Sequence, residues 1–152
     1  IYFNNSRGDI YSLEKESGNL AWLTNTRENS ESIKSFMLKT SKLVLDDEKL
    51  FFSNNKNTFF SLDANNGAIE WKQKISSDLK PIIAGNFIFT VSLDKHLFII
   101  EKTTGRIIRI TDLFQGIKEN KKKNLAMSGF VVGQKKIKND YSRKFYFYSY
   151  FR

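Results

Sequence analysis

The sequence predicts an all-β fold built from repeated four-stranded antiparallel units. Three observations predict it. Three stretches of the chain superpose on one another without a gap. The apolar runs are short, four to seven residues, and rich in Phe, Ile, Val, Leu and Tyr. Clusters of Asn, Asp, Gly and Ser bound them. Short β-rich runs between turn residues are strand signals, and self-similarity at a fixed period marks a repeat architecture.

The three stretches are Ile10-Tyr-Ser-Leu-Glu-Lys-Glu-Ser-Gly18-Asn-Leu-Ala-Trp22, Phe59-Phe-Ser-Leu-Asp-Ala-Asn-Asn-Gly67-Ala-Ile-Glu-Trp71 and Leu97-Phe-Ile-Ile-Glu-Lys-Thr-Thr-Gly105-Arg-Ile-Ile-Arg109. Each has an apolar stretch, an acid (Glu14, Asp63, Glu101), three polar residues, a glycine and a second apolar stretch. The glycines lie 49 and then 38 residues apart. Upstream, Ile1-Tyr-Phe-Asn4, Leu50-Phe-Phe-Ser53 and Ile88-Phe-Thr-Val91 also superpose, each followed by a polar turn.

Taken in order, the first copy lacks its innermost strand, and the chain opens at Ile1 directly inside a strand pattern, which reads as a truncated start. The second copy predicts strands at 41–45, 49–54, 57–63 and 68–75. The third predicts them at 81–84, 86–92, 96–101 and 106–111. Ser128-Gly-Phe-Val-Val132 opens a fourth copy, because Gly133 ends a run equivalent to the one Gly85 ends, 48 residues earlier. The expected organisation is three blades over 1–111, a basic inter-blade loop over 112–127, and the start of a fourth blade over 128–152. The tail from Asn139 to Arg152 loses the repeat, and half of its fourteen residues are Phe or Tyr. It reads as a sequence break, and no function is built on it.

Each recurrent residue has a structural task. Gly18, Gly67 and Gly105 fall in the turn between third and fourth strands, where positive φ favours glycine. Glu14, Asp63 and Glu101 recur at one position, which argues for stabilising that turn. Trp22 and Trp71 follow their glycines by four residues. A large flat ring on an outer strand covers the gap to the next sheet, so Trp71 is expected to be mostly buried. Arg109 takes the Trp place in the third copy, and its guanidinium can stack on a neighbouring blade. Four-stranded units repeating at this spacing predict a β-propeller, whose radial packing protects strand edges. The fragment holds about three four-stranded blades plus the start of a fourth.

Composition excludes several function classes. There is no cysteine and a single histidine, His96, so disulfide scaffolds, thiolate metal sites and His-rich centres are absent. No apolar run is long enough for a spanning helix. The net charge of +9 is uneven: residues 1–76 hold ten basic and ten acidic side chains, residues 77–152 fifteen and six. Lys, Ile, Asn and Phe together make 62 of 152 residues. All four have AT-rich codons, so the lysine excess is a weak argument for nucleic-acid binding, and none is assigned.

The pattern aromatic-(Ala/Ser)-Leu-Asp-x-x-x-Gly-x-x-x-Trp, present as Tyr11-Ser12-Leu13-Glu14…Gly18…Trp22 and Phe60-Ser61-Leu62-Asp63…Gly67…Trp71, resembles the repeat of PQQ-like β-propellers. The markers of WD40 and kelch repeats are missing. Within that superfamily the stretch Leu50 to Asp63, with Trp71-Lys-Gln-Lys-Ile75, Pro81-Ile-Ile83 and Phe89-Thr-Val-Ser-Leu93, resembles the BamB family of outer-membrane β-barrel assembly factors. The resemblance implies about three blades of an eight-bladed ring and a non-enzymatic protein-binding scaffold. It implies a periplasmic, outer-membrane-associated place, through a lipid anchor not in this sequence. It also implies a protein partner, the periplasmic domains of the barrel-assembly subunit BamA.

PQQ-dependent quinoprotein dehydrogenases share the repeat and form the alternative; a periplasmic propeller with another partner is a third. A quinone site needs an aspartate base and a calcium ion with six to eight oxygen ligands. Asp46-Asp47-Glu48 is the only dense acidic cluster, and it falls in a turn between predicted strands, where a solvated role is ordinary. No catalytic residue, cofactor or metal ligand is therefore assigned. Candidate partner contacts fall in the long inter-blade connections, 24–40 and 112–127, above all at Lys121, Lys122 and Lys123. A lysine run there can steer an acidic partner, although such runs are ordinarily solvated loops.

Overall fold

The computed structural model describes residues 1–27, 40–54, 56–116, 127–135 and 144–151. It is all β, with thirteen strands among the described residues. The first sheet holds β1 (Tyr2–Asn4), β2 (Asp9–Leu13) and β3 (Leu20–Asn25). The second holds β4 (Val44–Asp46), β5 (Lys49–Ser53), β6 (Phe59–Asp63) and β7 (Ile69–Gln73). The third holds β8 (Ile82–Ala84), β9 (Phe87–Val91), β10 (His96–Glu101) and β11 (Ile107–Asp112). Each sheet is an antiparallel meander in sequence order. β12 (Met127–Lys135) pairs with β13 (Lys144–Phe151), which is a strand in the segment where the sequence repeat is lost.

Strands begin and end within about two residues of the sequence expectation, with one instructive exception. The innermost strand of the second blade starts at Val44 rather than 41. Upstream, Thr40 makes only an isolated bridge to Asn54. Between them the Ser41 hydroxyl accepts the Ser53 N–H at 2.9 Å. That side chain takes a ladder position, so the regular strand is interrupted.

Two turn types recur. The β4–β5 turn has Asp47 and Glu48 both at positive φ, 46° and 60°, the conformation of a two-residue type I′ hairpin. The turns after β1, β5 and β9 share another design. Asn5 and Asn54 each accept two backbone N–H groups on Oδ1, and Ser92 accepts the His96 N–H on Oγ. Three residues later Gly8, Asn57 and Lys95 all have positive φ.

The core is layered between sheets. Tyr2, Ile10 and Trp22 of the first blade pack on Leu50, Phe52, Phe60 and Leu62 of the second. Phe51, Phe59 and Trp71 of the second pack on Ile88, Phe98 and Ile100 of the third. Phe89, Val91 and Leu97 of the third pack with Phe130, Met127 and Val132 of β12. Alternate residues of each strand thus serve opposite seams, as the pleat requires. Buried strands consequently read as apolar runs: Leu50, Phe51 and Phe52 are all within 1% of full burial.

Candidate functional site

The residues singled out by the repeat meet at the seams. Trp22 on β3 reaches across to the next blade, where its indole N–H donates to the Ala64 carbonyl at 2.9 Å. Thr24, two residues on, donates to the Gly67 carbonyl at 2.6 Å. The second seam repeats this. Trp71 Nε1 donates to the Lys102 carbonyl at 3.2 Å, and Gln73 Nε2 to the Gly105 carbonyl at 2.7 Å. Each outer strand therefore hooks the third-to-fourth turn of the following blade.

The glycines carry a second constraint that the sequence reading missed. Gly67 and Gly105 have φ of 75° and 73°. In addition, an ideal Cβ on Gly67 would lie 2.5 Å from Trp22 Cε3, and one on Gly105 2.5 Å from Trp71 Cδ2. The indole ring occupies the space a side chain would need. The signal was the constant pairing of a glycine in one copy with a Trp in the preceding copy. Both tryptophans are mostly buried, as the repeat predicts for Trp71, with a minor part of each residue in solvent. Arg109, in the Trp position of the third blade, is exposed on β11.

The recurrent acids close the same turns. Asp63 accepts the Asn65 N–H at 2.7 Å and the Asn66 amide at 3.1 Å. Glu14 accepts from the Ser17 hydroxyl at 2.6 Å, and Glu101 from Thr104 at 2.5 Å. These are local turn contacts, and the acids do not converge on one centre.

The acidic cluster Asp46-Asp47-Glu48 is engaged from the neighbouring blade. Lys102, which is buried, places its ammonium 2.7 Å from Asp46 Oδ2 and 2.5 Å from Asp47 Oδ2. Hydrogen bonds that the Lys102 ammonium donates, first to Asp46 and then to Asp47, hold its pKa above the ordinary value. The hydrogen bond and charge of Lys102 hold the Asp47 carboxyl below its own. The Lys102 ammonium therefore pairs with one oxygen of each aspartate. No group of three metal-ligating side chains occurs among the described residues. His96 is half-buried at the start of β10, within the Ser92-capped turn.

Near the innermost strands is a cleft of about 690 Å³, with Lys42, Asp46, Asp78 and Lys80 on its wall beside Pro81 and Phe130. Lys121, Lys122 and Lys123, and residues 28–39 of the other long connection, lie outside the described residues.

Comparison with known proteins fits this architecture. No curated protein sequence matches the chain. Among solved structures, BamB from Moraxella catarrhalis superposes with a TM-score of 0.58 at 19% identity, over 73% of this chain and 32% of that one. A europium-containing methanol dehydrogenase superposes with a TM-score of 0.56 at 15% identity, over 72% of this chain and 22% of that one. At such identities both likenesses speak for the fold, and the chain spans about a third of the BamB structure or less than a quarter of the dehydrogenase. The family profile described as outer membrane protein assembly factor BamB matches residues 1–111, all three hooked blades, and the chain belongs to that family.

Proposed function

We propose that the chain is part of a non-enzymatic scaffold that binds protein partners in the outer-membrane assembly machinery, at the periplasmic face of the outer membrane. The observation that carries this is the use of the recurrent and acidic residues. Gly67, Trp71, Asp63 and Lys102 are consumed in closing turns and seams, which leaves the inter-blade connections to meet a partner. Family membership over residues 1–111 supports the same reading. The partner proposed is the periplasmic region of the barrel-assembly subunit BamA. Lys121, Lys122 and Lys123 are the proposed steering charges, whose effect on association weakens with salt.

The test is a pull-down of the BamA periplasmic domains by the protein at several salt concentrations. Binding is expected, and changing the three lysines to Glu should slow association at low salt. Absence of binding at every salt concentration would remove the scaffold reading. Unchanged association in the triple variant would remove only the loop assignment.

The likeness to a methanol dehydrogenase keeps a second reading, a quinoprotein fragment. It requires quinone absorbance to co-purify with the protein and to be lost when Asp46 or Asp47 is changed.

A further inference from the structure

The turn under the first hook is the one place in the chain where an asparagine precedes a glycine. Of the fourteen asparagines only Asn66 does so, before Gly67. That pair is chemically labile, because a glycine puts no side chain in the way of its own amide nitrogen. The nitrogen can then reach the asparagine Cγ.

The residue before the glycine has the same task in all three blades. Ser17, Asn66 and Thr104 donate to the recurrent acids Glu14, Asp63 and Glu101. Each also accepts a backbone N–H from two residues on: Asn19 at 3.1 Å, Ala68 at 2.8 Å and Arg106 at 3.2 Å. The position therefore needs one donor and one acceptor on a short side chain. A hydroxyl meets that need as well as an amide does. Of the two, only the amide can be lost as ammonia.

The surroundings of Asn66 restrain the reaction. The Gly67 N–H donates to the Asp63 carbonyl at 2.8 Å, so its proton is engaged. Both ends of the Asn66 amide are held. Gly67 is buried, with the Trp22 ring and the Thr24 hydroxyl closed over it, while Asn66 is exposed to water. Attack requires the turn to open, and the hook sets how often it does.

We propose that Asn66 is a modification site, a spontaneous deamidation centre gated by the Trp22 hook, whose products do not rebuild the turn. Hydroxide takes the Gly67 amide proton. The nitrogen bonds to Asn66 Cγ, the Cγ–Nδ2 bond breaks, and ammonia leaves with a proton from water. Water then opens the cyclic imide at either carbonyl, giving aspartate or isoaspartate. The net change is asparagine and water to an acid and ammonia, with no oxidant or cofactor. Aspartate keeps the acceptor for Ala68 but has no proton for Asp63, and it sets a second carboxylate beside it. Isoaspartate adds a main-chain atom ahead of Gly67 and moves it from beneath Trp22. Modification thus loosens the first seam and not the second, whose turn carries Thr104.

The test holds the protein at mildly alkaline pH and follows each asparagine by peptide mass spectrometry, with enzymatic methylation of isoaspartate as a second readout. Conversion should concentrate at Asn66, slow in the folded protein and fastest in urea. Thr24→Val removes one bond of the hook and keeps the side chain's shape. It should speed conversion about fivefold, the opening gained by losing one hydrogen bond. Trp22→Ala should speed it further. Asn66→Ser, which copies Ser17, should abolish it and melt like the wild type. Asn66→Asp, which copies one product, should melt lower.

Asn66 left intact in folded wild type and Thr24→Val while the urea-unfolded chain converts would overturn the proposal. Equal rates in wild type and Thr24→Val would remove the gating. An Asn66→Asp variant that melts like Asn66→Ser would show that the product rebuilds the turn.

Discussion

The two seams between the first three blades share one hook and differ in nearly everything beside it. In the first seam the second blade offers Leu50, Phe52, Phe60 and Leu62, with Phe52 and Phe60 stacked at 5.1 Å. In the second seam the same positions are Ile88, Thr90, Phe98 and Ile100. Phe52 has become Thr90, and Ala64 has become Lys102, whose ammonium crosses to Asp46 and Asp47. The Trp over a glycine, with its indole bond to a turn carbonyl, is present in both. The hook therefore fixes the geometry between blades, while the seam interior can change from uncharged, with only a Tyr2 hydroxyl bond to the Ala64 carbonyl beside the hook, to partly charged. Packing volume and satisfied polar groups both satisfy the same spacing.

The comparison predicts unequal losses on truncation. Phe52→Ala should destabilise by about 4 kcal/mol, since it empties a fully buried aromatic position between close-packed sheets. Phe98→Ala in the second seam should lose about 2 kcal/mol, because Phe98 is only half-buried and part of its area already meets solvent. Urea unfolding with unchanged m would give both values. Equal losses would mean that the two seams are interchangeable.

The hook should behave as a coupled pair. Gly67→Ala should destabilise by about 3 kcal/mol, about 1–2 from a Cβ at positive φ and the rest from displacing Trp22 and its indole bond. In a Trp22→Ala background the same change should lose only about 1–2 kcal/mol, the strain together with what remains from the Thr24 hydroxyl 2.5 Å from the added Cβ. Contacting residues show such coupling and independent ones do not. An additive double variant would show that the ring yields freely and that the hook is not what fixes the seam.

The blades were legible because each copy repeats the others: the Gly-to-Trp spacing and the strand-length apolar runs located β5 to β7 and β9 to β11 closely. The hook was not, because a sequence places Trp22 and Gly67 45 residues apart and only the packing of one blade on the next brings them together. The clamp was hidden for the same reason. Lys102 and Asp46 are 56 residues apart, and Asp46-Asp47-Glu48 alone reads as a solvated turn. The caps at Asn5, Asn54 and Ser92 were visible in principle, since Asx and Ser turns have a known signature. The third is Ser rather than Asn, so residue identity alone does not mark the three turns as one design. The site assigned to Lys121, Lys122 and Lys123 lies outside the described residues.

The clamp gives the second seam a pH dependence. Asp47 is held below its ordinary value, so its contribution is present above the usual carboxylate range and is lost as pH falls through the lowered value. Lys102 is held above its ordinary value, so its contribution is present below that value and is lost as pH rises through the raised one. Urea midpoints should therefore fall at both extremes, with a plateau between. Lys102→Met removes the ammonium and keeps the apolar stem, and should flatten the contribution of this group to both limbs. An acid limb of the same steepness in Lys102→Met would mean that the pair does not couple to folding. The effect is modest, because Asp47 is largely exposed and exposed partners are screened.

The smallest expected effect is a gain. Thr90 is fully buried, and its hydroxyl is the buried side-chain polar atom without a partner among the described residues. It stands on β9 beside Ile88, facing the second blade, where Phe52 stands in the seam before. A buried hydroxyl without a hydrogen bond costs about 1–3 kcal/mol. Thr90→Val keeps the β-branched shape that suits a strand and removes the stranded oxygen, so it should stabilise by about 1 kcal/mol. Thr90→Ser keeps the oxygen and deletes the methyl, so it should destabilise by a similar amount. The pair separates polarity from volume at one position. If Val lowers the urea midpoint while Ser leaves it unchanged, the hydroxyl has found a partner, a bound water or a carbonyl. The second seam would then be held by one more polar contact, as its Lys102 clamp already suggests for its neighbour positions.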